Sequence, residues 1–408
     1  MHYSLLSVID RFMNNAELII ASLKRRKRAE KRFRIACLFS LLFSGFALAW
    51  LIGSVAIPAS SGFMQHHVQL PFADNITKPQ AQMAVRQTLL RQFPEAKRQQ
   101  KRMIALMLAP HAQNFVPINS PATTANIPLS SRADLWLKNP NNVRLPELQQ
   151  QYLRKLQQNG LIHNQFNWRF FSDNDSRSPE KAGFYAAIIG SLYLVTVCLI
   201  VALPIGVGAA IYLEEFAPKN RLTDIIEINI NNLAAVPSII YGLLGLFLYL
   251  HFMNLPRSSA LAGGLTLALM SLPIIIISTR IALKSVPSSM RNAALAIGAS
   301  PLQVVFHHLI PQAMGGIITG TILGLARAIG ETAPLLMIGM VAFIINAPDN
   351  LLDPTTAMPV QIYIWSSSPE AGFVHKTASG IMVLITILIC FNVMVNFIRN
   401  KSERRYSS

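Results

Sequence analysis

RNAALAIGASPLQVVFHHLIPQAMGGIITGTILGLARAIGETAP, residues 291–334, is the stretch around which this chain is organised. Its first half, up to Pro311, is too polar to be a membrane span. Just upstream, Ser288 or Ser289 is placed to cap a short helix reaching about Ile297, and Gly298 is placed to end that helix in the left-handed conformation of a C-terminal stop. Ser300 then caps a second helix. Pro301 falls in its first turn, where no amide is needed, and Gln303 completes a capping box with Ser300. The pattern predicts helix, glycine turn, helix, and Ala293, Ala294 and Ala296 give the first helix little bulk. A small-residue helix set between two membrane spans is suited to close docking against another protein.

The second half predicts an apolar span from about Gly315 to Ile345, interrupted by Arg327 and Glu331. On a helix turning 100° per residue, Gly316, Gly320 and Gly324 form one stripe. With Gly316 as zero, Arg327 falls near about 20° and Glu331 near about 60°. The two charges are therefore expected on the glycine face, and small-xxx-small faces pack against neighbouring helices in preference to lipid.

The rest of the chain agrees with a membrane protein. Of its 408 residues, 52% are hydrophobic and 13% charged, which excludes an ordinary soluble enzyme. The net charge of +17 is unevenly spread: nine Lys/Arg against three Asp/Glu in 1–34, fifteen against seven in 58–182, and twelve against nine in 183–408. The excess lies in an anchor and an extramembrane segment, without the aromatic-interleaved basic motif of a nucleic-acid site. Cys37, Cys198 and Cys390 all fall in apolar spans, so neither a disulfide framework nor a metal site is expected.

Residues 1–34 end in KRRKRAEKRFR, a basic cluster directly before an apolar span at 35–57; this predicts a cytoplasmic N-terminus and an uncleaved anchor. Residues 58–182 form a polar insert outside the cytoplasm. It is expected to be partly helical, with helices near 79–108 and 145–158 and a Pro/Asn/Thr-rich loop near 110–130. From residue 183 to 400 the chain reads as a membrane core, with further spans at about 183–213, 225–251, 260–283, 315–345 and 377–398. That makes six transmembrane helices in an all-α membrane protein with an extracytoplasmic insert. It places the loop 284–314 and the tail 401–408 in the cytoplasm. Pro237 and Pro273 are read chiefly as packing kinks, and Arg280 as a charge that snorkels towards the cytoplasmic interface. Without a phosphate-cradling GxxxxGKS/T loop the chain is not expected to bind ATP, and no catalytic constellation or metal site is expected.

Three segments resemble one family. The loop carrying Asn292-Ala293-Ala294, Gly298 and Leu309-Ile310-Pro311 resembles the coupling loop of ABC importer permeases. ARAIGETAPLL, YLEEFAPKNRLTDIIEINI at 212–230 and AAVPSIIYGLLGL at 234–246 resemble the phosphate-importer permeases specifically. The resemblance covers roughly 183–400; Asn292 stands where the family loop usually carries glutamate. It implies a type I permease-like core and transport of inorganic phosphate by alternating access. It further implies a second permease subunit, a cytoplasmic ATPase dimer that binds ATP and Mg, and a periplasmic phosphate-binding protein. Asn292, Ala293, Ala294, Gly298 and Pro311 become the expected ATPase-coupling residues, and Gly316, Gly320 and Gly324 the helix-packing residues. Arg327, Glu331 and Thr332 become the expected substrate-pathway residues. Arg327 and Glu331 admit two readings: an ion pair holding two helices in register, or an arginine that meets a translocating oxyanion while the glutamate orients it or exchanges with the anion. A permease for sulfate or phosphonate, or an ATPase-independent secondary transporter, is the alternative function.

Overall fold

The computed structural model describes residues 2–72, 76, 79–110, 112–116, 124–141, 143–340 and 343–406. The chain forms two units, Met1–Ile57 and Pro58–Ser408. The first unit is the body of helix α1 (His2–Phe63). Its apolar side chains, Phe39, Leu42, Phe46 and Trp50 among them, are exposed in the isolated chain, as expected of a helix whose solvent is lipid. The helix does not stop at 57. Pro58 lies inside it, and residues 58–63 begin the second unit.

The insert is a compact α/β body, not the partly helical segment alone that its composition suggests. Strand β1 (Met64–Pro71) is followed by α2 (Ala81–Arg91), α3 (Arg98–Ala105), β2 (Thr124–Pro128), α4 (Ser131–Lys138), α5 (Glu147–Gln158), β3 (Ile162–Phe166) and α6 (Arg169–Ser172). The sheet order is β2-β1-β3, antiparallel throughout, with Val68 opposite both Ile127 and Ile162. Val68, Leu70, Leu89, Ile104, Ile127, Leu153 and Leu156 fill one core. Helices occupy both predicted stretches. The Pro/Asn/Thr-rich loop ends in β2, and its part at 117–123 lies outside the described residues.

The membrane part is all helical. It comprises α7 (Tyr185–Ile211), α8 (Arg221–Ala234), α9 (Ser238–Gly245), α10 (Ala260–Lys284), α11 (Ser288–Ala296), α12 (Pro301–Val304), α13 (Ile310–Gly330), α14 (Ala333–Met337), α15 (Met358–Ser366) and α16 (Ala371–Tyr406). Among the described residues five helices are long and apolar enough to cross a membrane, six if α8 and α9 count as one span. Leu194 and Cys198 of α7, Leu267 and Met270 of α10, and Leu325 and Ala328 of α13 share one buried core.

Four expectations change. Pro237 does more than kink its span: α8 and α9 meet at 103°. Proline disfavours the helical conformation in the residue before it, and Pro237 itself is extended. Pro273, by contrast, lies within an unbroken α10. The span predicted to reach Ile345 ends at Gly330, where the proline at 334 cannot donate back to continue the ladder; residues 341–342 lie outside the described residues. Glu331 is therefore extended, not helical, and the helical-wheel position assigned to it does not apply. Finally, the tail is not separate: α16 continues to Tyr406, with 407–408 outside the described residues.

Candidate translocation and coupling sites

The segment expected to dock is built by local chemistry. Pro287, not Ser288 or Ser289, occupies the N-cap of α11, without a side-chain cap. At its other end Gly298 has φ +90°, which suits glycine. The Gly298 amide donates to the Leu295 carbonyl at 3.0 Å and the Ala299 amide to the Ala294 carbonyl at 3.2 Å, the paired bonds of a Schellman stop. Ser300 and Gln303 form the reciprocal capping box, Gln303 N to Ser300 Oγ at 3.3 Å and Ser300 N to Gln303 Oε1 at 2.8 Å. The second helix and the membrane span are not separate elements. α12 passes through a π-helical turn, Val305–Leu309, into α13, with Pro311 in the first turn of α13.

Of Ala293, Ala294 and Ala296, Ala294 alone is buried, in a cluster with Ile211, Leu283, Val304 and Leu309. Asn292 and Ala293 are exposed, and so are the apolar Leu295, Ile297, Leu302 and Phe306. Exposed apolar surface marks protein–protein or membrane contacts.

Gly316, Gly320 and Gly324 line α13 where it meets α10. A Cβ at Gly316 would meet Ala282, one at Gly320 would meet Ser278, and one at Gly324 would lie 3.4 Å from Ile275. Close helix approach follows from the missing side chains.

Arg327 sits one turn before the end of α13. Its Nε lies 3.4 Å from Glu331 Oε1, and the two side chains are 44% and 20% exposed. The pair is thus not enclosed within this chain, contrary to the sequence expectation of two charges inside the bundle. Glu331 and Thr332 form the break between α13 and α14. That break is packed on the other one: a Cβ at Gly242 of α9 would lie 2.6 Å from Pro334 Cα and 2.8 Å from Met337 Cβ. Tyr241, beside Gly242, donates its hydroxyl to the Leu233 carbonyl at 2.6 Å, satisfying an acceptor at the broken end of α8. Two interrupted helices therefore meet beside Arg327. Non-helical backbone at membrane depth is tolerated only where protein or a water-filled cavity covers it.

A second charged group was not foreseen from the sequence. Arg280 of α10 does not snorkel. Its side chain is 12% exposed, and Nη2 lies 2.6 Å from Glu227 Oε1 of α8 while Nε lies 3.5 Å from Glu214 Oε2. Lys284 Nζ is 3.6 Å from the same Glu214 oxygen. Arg291 of α11 donates to Glu215 Oε1 at 2.5 Å, and Glu215 is 8% exposed. Glu214 and Glu215 stand in a π-helical turn, Tyr212–Phe216, at the end of α7. The only hint in the sequence is the EE pair at 214–215, whose partners lie more than sixty residues downstream.

In the insert, Asp134 accepts from the His66 amide at 2.8 Å and from Lys138 Nζ at 2.6 Å, and its Oδ1 lies 2.8 Å from His66 Nδ1. Burial favours the neutral acid, but the bonds from His66 and Lys138 outweigh it and hold this carboxyl below its ordinary range. Among the described residues no three His, Cys, Asp or Glu side chains gather as a metal site would require.

Comparison with known proteins defines the class. Residues 202–408 match the family described as "Binding-protein-dependent transport system inner membrane component". The chain belongs to this family: it is a multi-pass inner-membrane permease of an ABC importer, and ATP hydrolysis falls to a separate subunit. Residues 20–147 match a domain of unknown function, DUF3333. Among similar proteins, the phosphate transport system permease protein PstA of Haemophilus influenzae is 34% identical over 224 residues, covering 55% of this chain and 78% of that protein. PstA 1 of Mycobacterium tuberculosis (strain H37Rv) is 31% identical over 230 residues, 56% of this chain and 73% of that protein. The probable ABC transporter permease protein YqgI of Bacillus subtilis is 28% identical over 249 residues, 58% and 84%.

Proposed function

We propose that the chain is the PstA-like permease subunit of an importer for inorganic phosphate, working by alternating access with ATP hydrolysed by a partner. The observation that carries this reading is Arg327, a half-open arginine beside two interrupted helices, held to its single carboxylate at 3.4 Å. An ionised residue at mid-membrane costs about 2.5–3.5 kcal/mol on insertion scales. An exposed i,i+4 pair returns only about 0.2–0.5 kcal/mol. The pair is poorly explained by stability, whereas a guanidinium fork that stays protonated suits phosphate oxygens. The relatives named as phosphate transport permeases support the same substrate. Thr332, in the break, adds a hydroxyl beside the pair.

In this reading a PstC-like second permease completes the site around Arg327. A PstB-like ATPase dimer docks on α11 and the patch Leu295, Ile297, Leu302 and Phe306, with Asn292, Ala293, Ala294, Gly298 and Pro311 shaping that surface. A PstS-like periplasmic protein delivers phosphate. The N- and C-termini and the loop 284–314 lie in the cytoplasm, and the insert lies in the periplasm. Single cysteines at Gln157 and Ser300, both exposed, in a background lacking the native cysteines, test the sidedness. An impermeant thiol reagent on intact spheroplasts is expected to label position 157 and not 300; the reverse pattern inverts the topology.

The function is tested by uptake of radiolabelled phosphate, normalised to assembled complex, with sulfate and phosphonate as competitors. Arg327→Gln is expected to abolish uptake in a complex that still assembles, and Glu331→Gln to impair it less. If the pair is only structural, the double variant removes the unpaired charge and recovers transport. If Arg327 handles the anion, the double variant stays inactive.

A further inference from the structure

The charged group at 214–291 ties together three elements that a transport cycle has to move in concert. Arg291 belongs to the docking helix α11, Arg280 and Lys284 to α10, and Glu227 to α8, the first half of the broken span. The link between them is the π-helical turn Tyr212–Phe216. Consecutive helical side chains diverge by about 100°, and the two glutamates accordingly serve different partners, Glu214 facing α10 and Glu215 facing α11. Such turns recur at functional sites.

The bonds are not of equal quality. The two ends are closed: Arg291 to Glu215 at 2.5 Å and Arg280 to Glu227 at 2.6 Å. The middle is open: Glu214 Oε2 lies 3.5 Å from Arg280 Nε and 3.6 Å from Lys284 Nζ, beyond good hydrogen-bond geometry. The buried Arg280 Nε has no hydrogen-bond partner. A buried donor left unpaired is costly, so a small inward shift of the π-helical turn gains a bond that this conformation lacks.

We propose that these residues form a charge relay that carries movement of the docking helix α11 to the broken helix α8–α9, with Glu214 as the member that changes partners. This rests on the reading of α11 as the ATPase-docking helix. A push on α11 moves Glu215 through its closed pair, and with it the π-helical turn. Glu214 then closes on Arg280 or releases towards Lys284. Because Arg280 is held to Glu227, α8 is pulled or freed. Glu227 lies two turns before the 103° bend, and beyond the bend α9 bears on Pro334, next to Glu331 and Thr332. Docking on one side of the membrane is thereby connected to the break beside Arg327. Glu214, Glu215, Glu227, Arg280 and Arg291 act as positioning residues; none is required to touch the transported anion.

The test uses the full complex captured through a tag on this chain and reconstituted in vesicles, with inorganic phosphate as the probe. ATP hydrolysis with and without phosphate-loaded binding protein, and phosphate moved per ATP, are the readouts. Glu214→Gln is near-isosteric and is expected to assemble at wild-type yield and hydrolyse ATP at the basal rate. Its phosphate moved per ATP is expected to fall about ten-fold, within the usual range of coupling between sites. Glu215→Arg and Arg291→Glu are each expected to uncouple the complex, and the double swap to return to within about three-fold of wild type, because a contact pair is restored. Glu214→Gln moving as much phosphate per ATP as wild type overturns the relay. So does a double swap that assembles and stays at the level of the single variants. Failure of the underlying reading looks different: the wild-type complex itself would neither hydrolyse ATP on phosphate demand nor take phosphate up.

Discussion

The charges at 214–291 and those at 327–331 are built on opposite plans. In the first group three cations meet three carboxylates contributed by four elements, and Arg280 and Glu215 are nearly sealed from solvent. In the second, one arginine has one carboxylate four residues on, and nearly half of it is open. Both sit in a chain that charge makes costly to insert. A charge can be neutralised inside its own chain, where it becomes part of the structure, or it can be left half-answered, where something else must complete it. The difference teaches which group to suspect of binding and which of holding and transmitting.

That contrast can be broken most directly by removing one arginine from each group. Arg280→Gln leaves Glu214 and Glu227 without their main counter-charge. Removing Arg280, whose side chain is 12% exposed, leaves two carboxylates without that cation, so a drop in thermal stability of the detergent-solubilised chain is expected. Arg327→Gln in the same assay is expected to change stability by less than about 1 kcal/mol, because Arg327 itself is 44% exposed and meets one carboxylate at 3.4 Å. Equal losses would erase the distinction. The next effect down sharpens the glycine face of α13. Gly320→Val has to displace Ser278 of α10, and overpacking of this kind costs about 1–3 kcal/mol. The same substitution at Gly298 meets no atom within 4 Å. Its cost is conformational, about 1–2 kcal/mol for a β-carbon in the left-handed region, and it falls on the docking turn. Gly298→Val is thus expected to uncouple hydrolysis from uptake while the spans stay assembled, and Gly298→Asn, which tolerates that backbone better, to do so less.

The smallest effect concerns the insert. Asp134 is held below its ordinary value of 3.8. A depressed carboxyl contributes stability that is fully present above the unfolded value and is lost as pH falls through the folded one. Hydrogen exchange of α4 is expected to accelerate on acidification below about pH 4. Asp134→Asn is expected to flatten that dependence. An unchanged profile would remove Asp134 from the insert's acid sensitivity.

What the sequence made legible follows the range of the interactions. The helix–turn–helix geometry could be read at Gly298, Ser300, Pro301 and Gln303 because caps and stops are settled within a few residues. The long apolar runs could be read because lipid imposes their length. The end of α13 was not legible because the apolar run from Gly315 continues to Ile345, past Gly330 and Pro334, which stop the helix in spite of it. The sheet of the insert was missed for a different reason. β1 leaves α1 without a turn signal, and Val68 finds Ile127 and Ile162 only after long excursions of the chain. The relay is the extreme case: nothing near Glu214 announces Arg280, and nothing near Glu215 announces Arg291. The packed break at Gly242 and Pro334 is equally non-local, and so was the severity of the bend at Pro237.

The merging of α12, the π-helical turn and α13 into one run from Pro301 to Gly330 has a mechanical meaning. At 1.5 Å per residue, Arg327 stands about 39 Å along the axis from the docking end. A rod of that length multiplies angle into travel: a tilt of about 10° pivoted at Pro301 sweeps the guanidinium sideways by about 7 Å, more than the width of a phosphate ion. The π-helical turn Val305–Leu309 and Pro311 lie within this run, so on the proposed reading Arg327 is the pointer of a lever whose handle is the segment at 291–306.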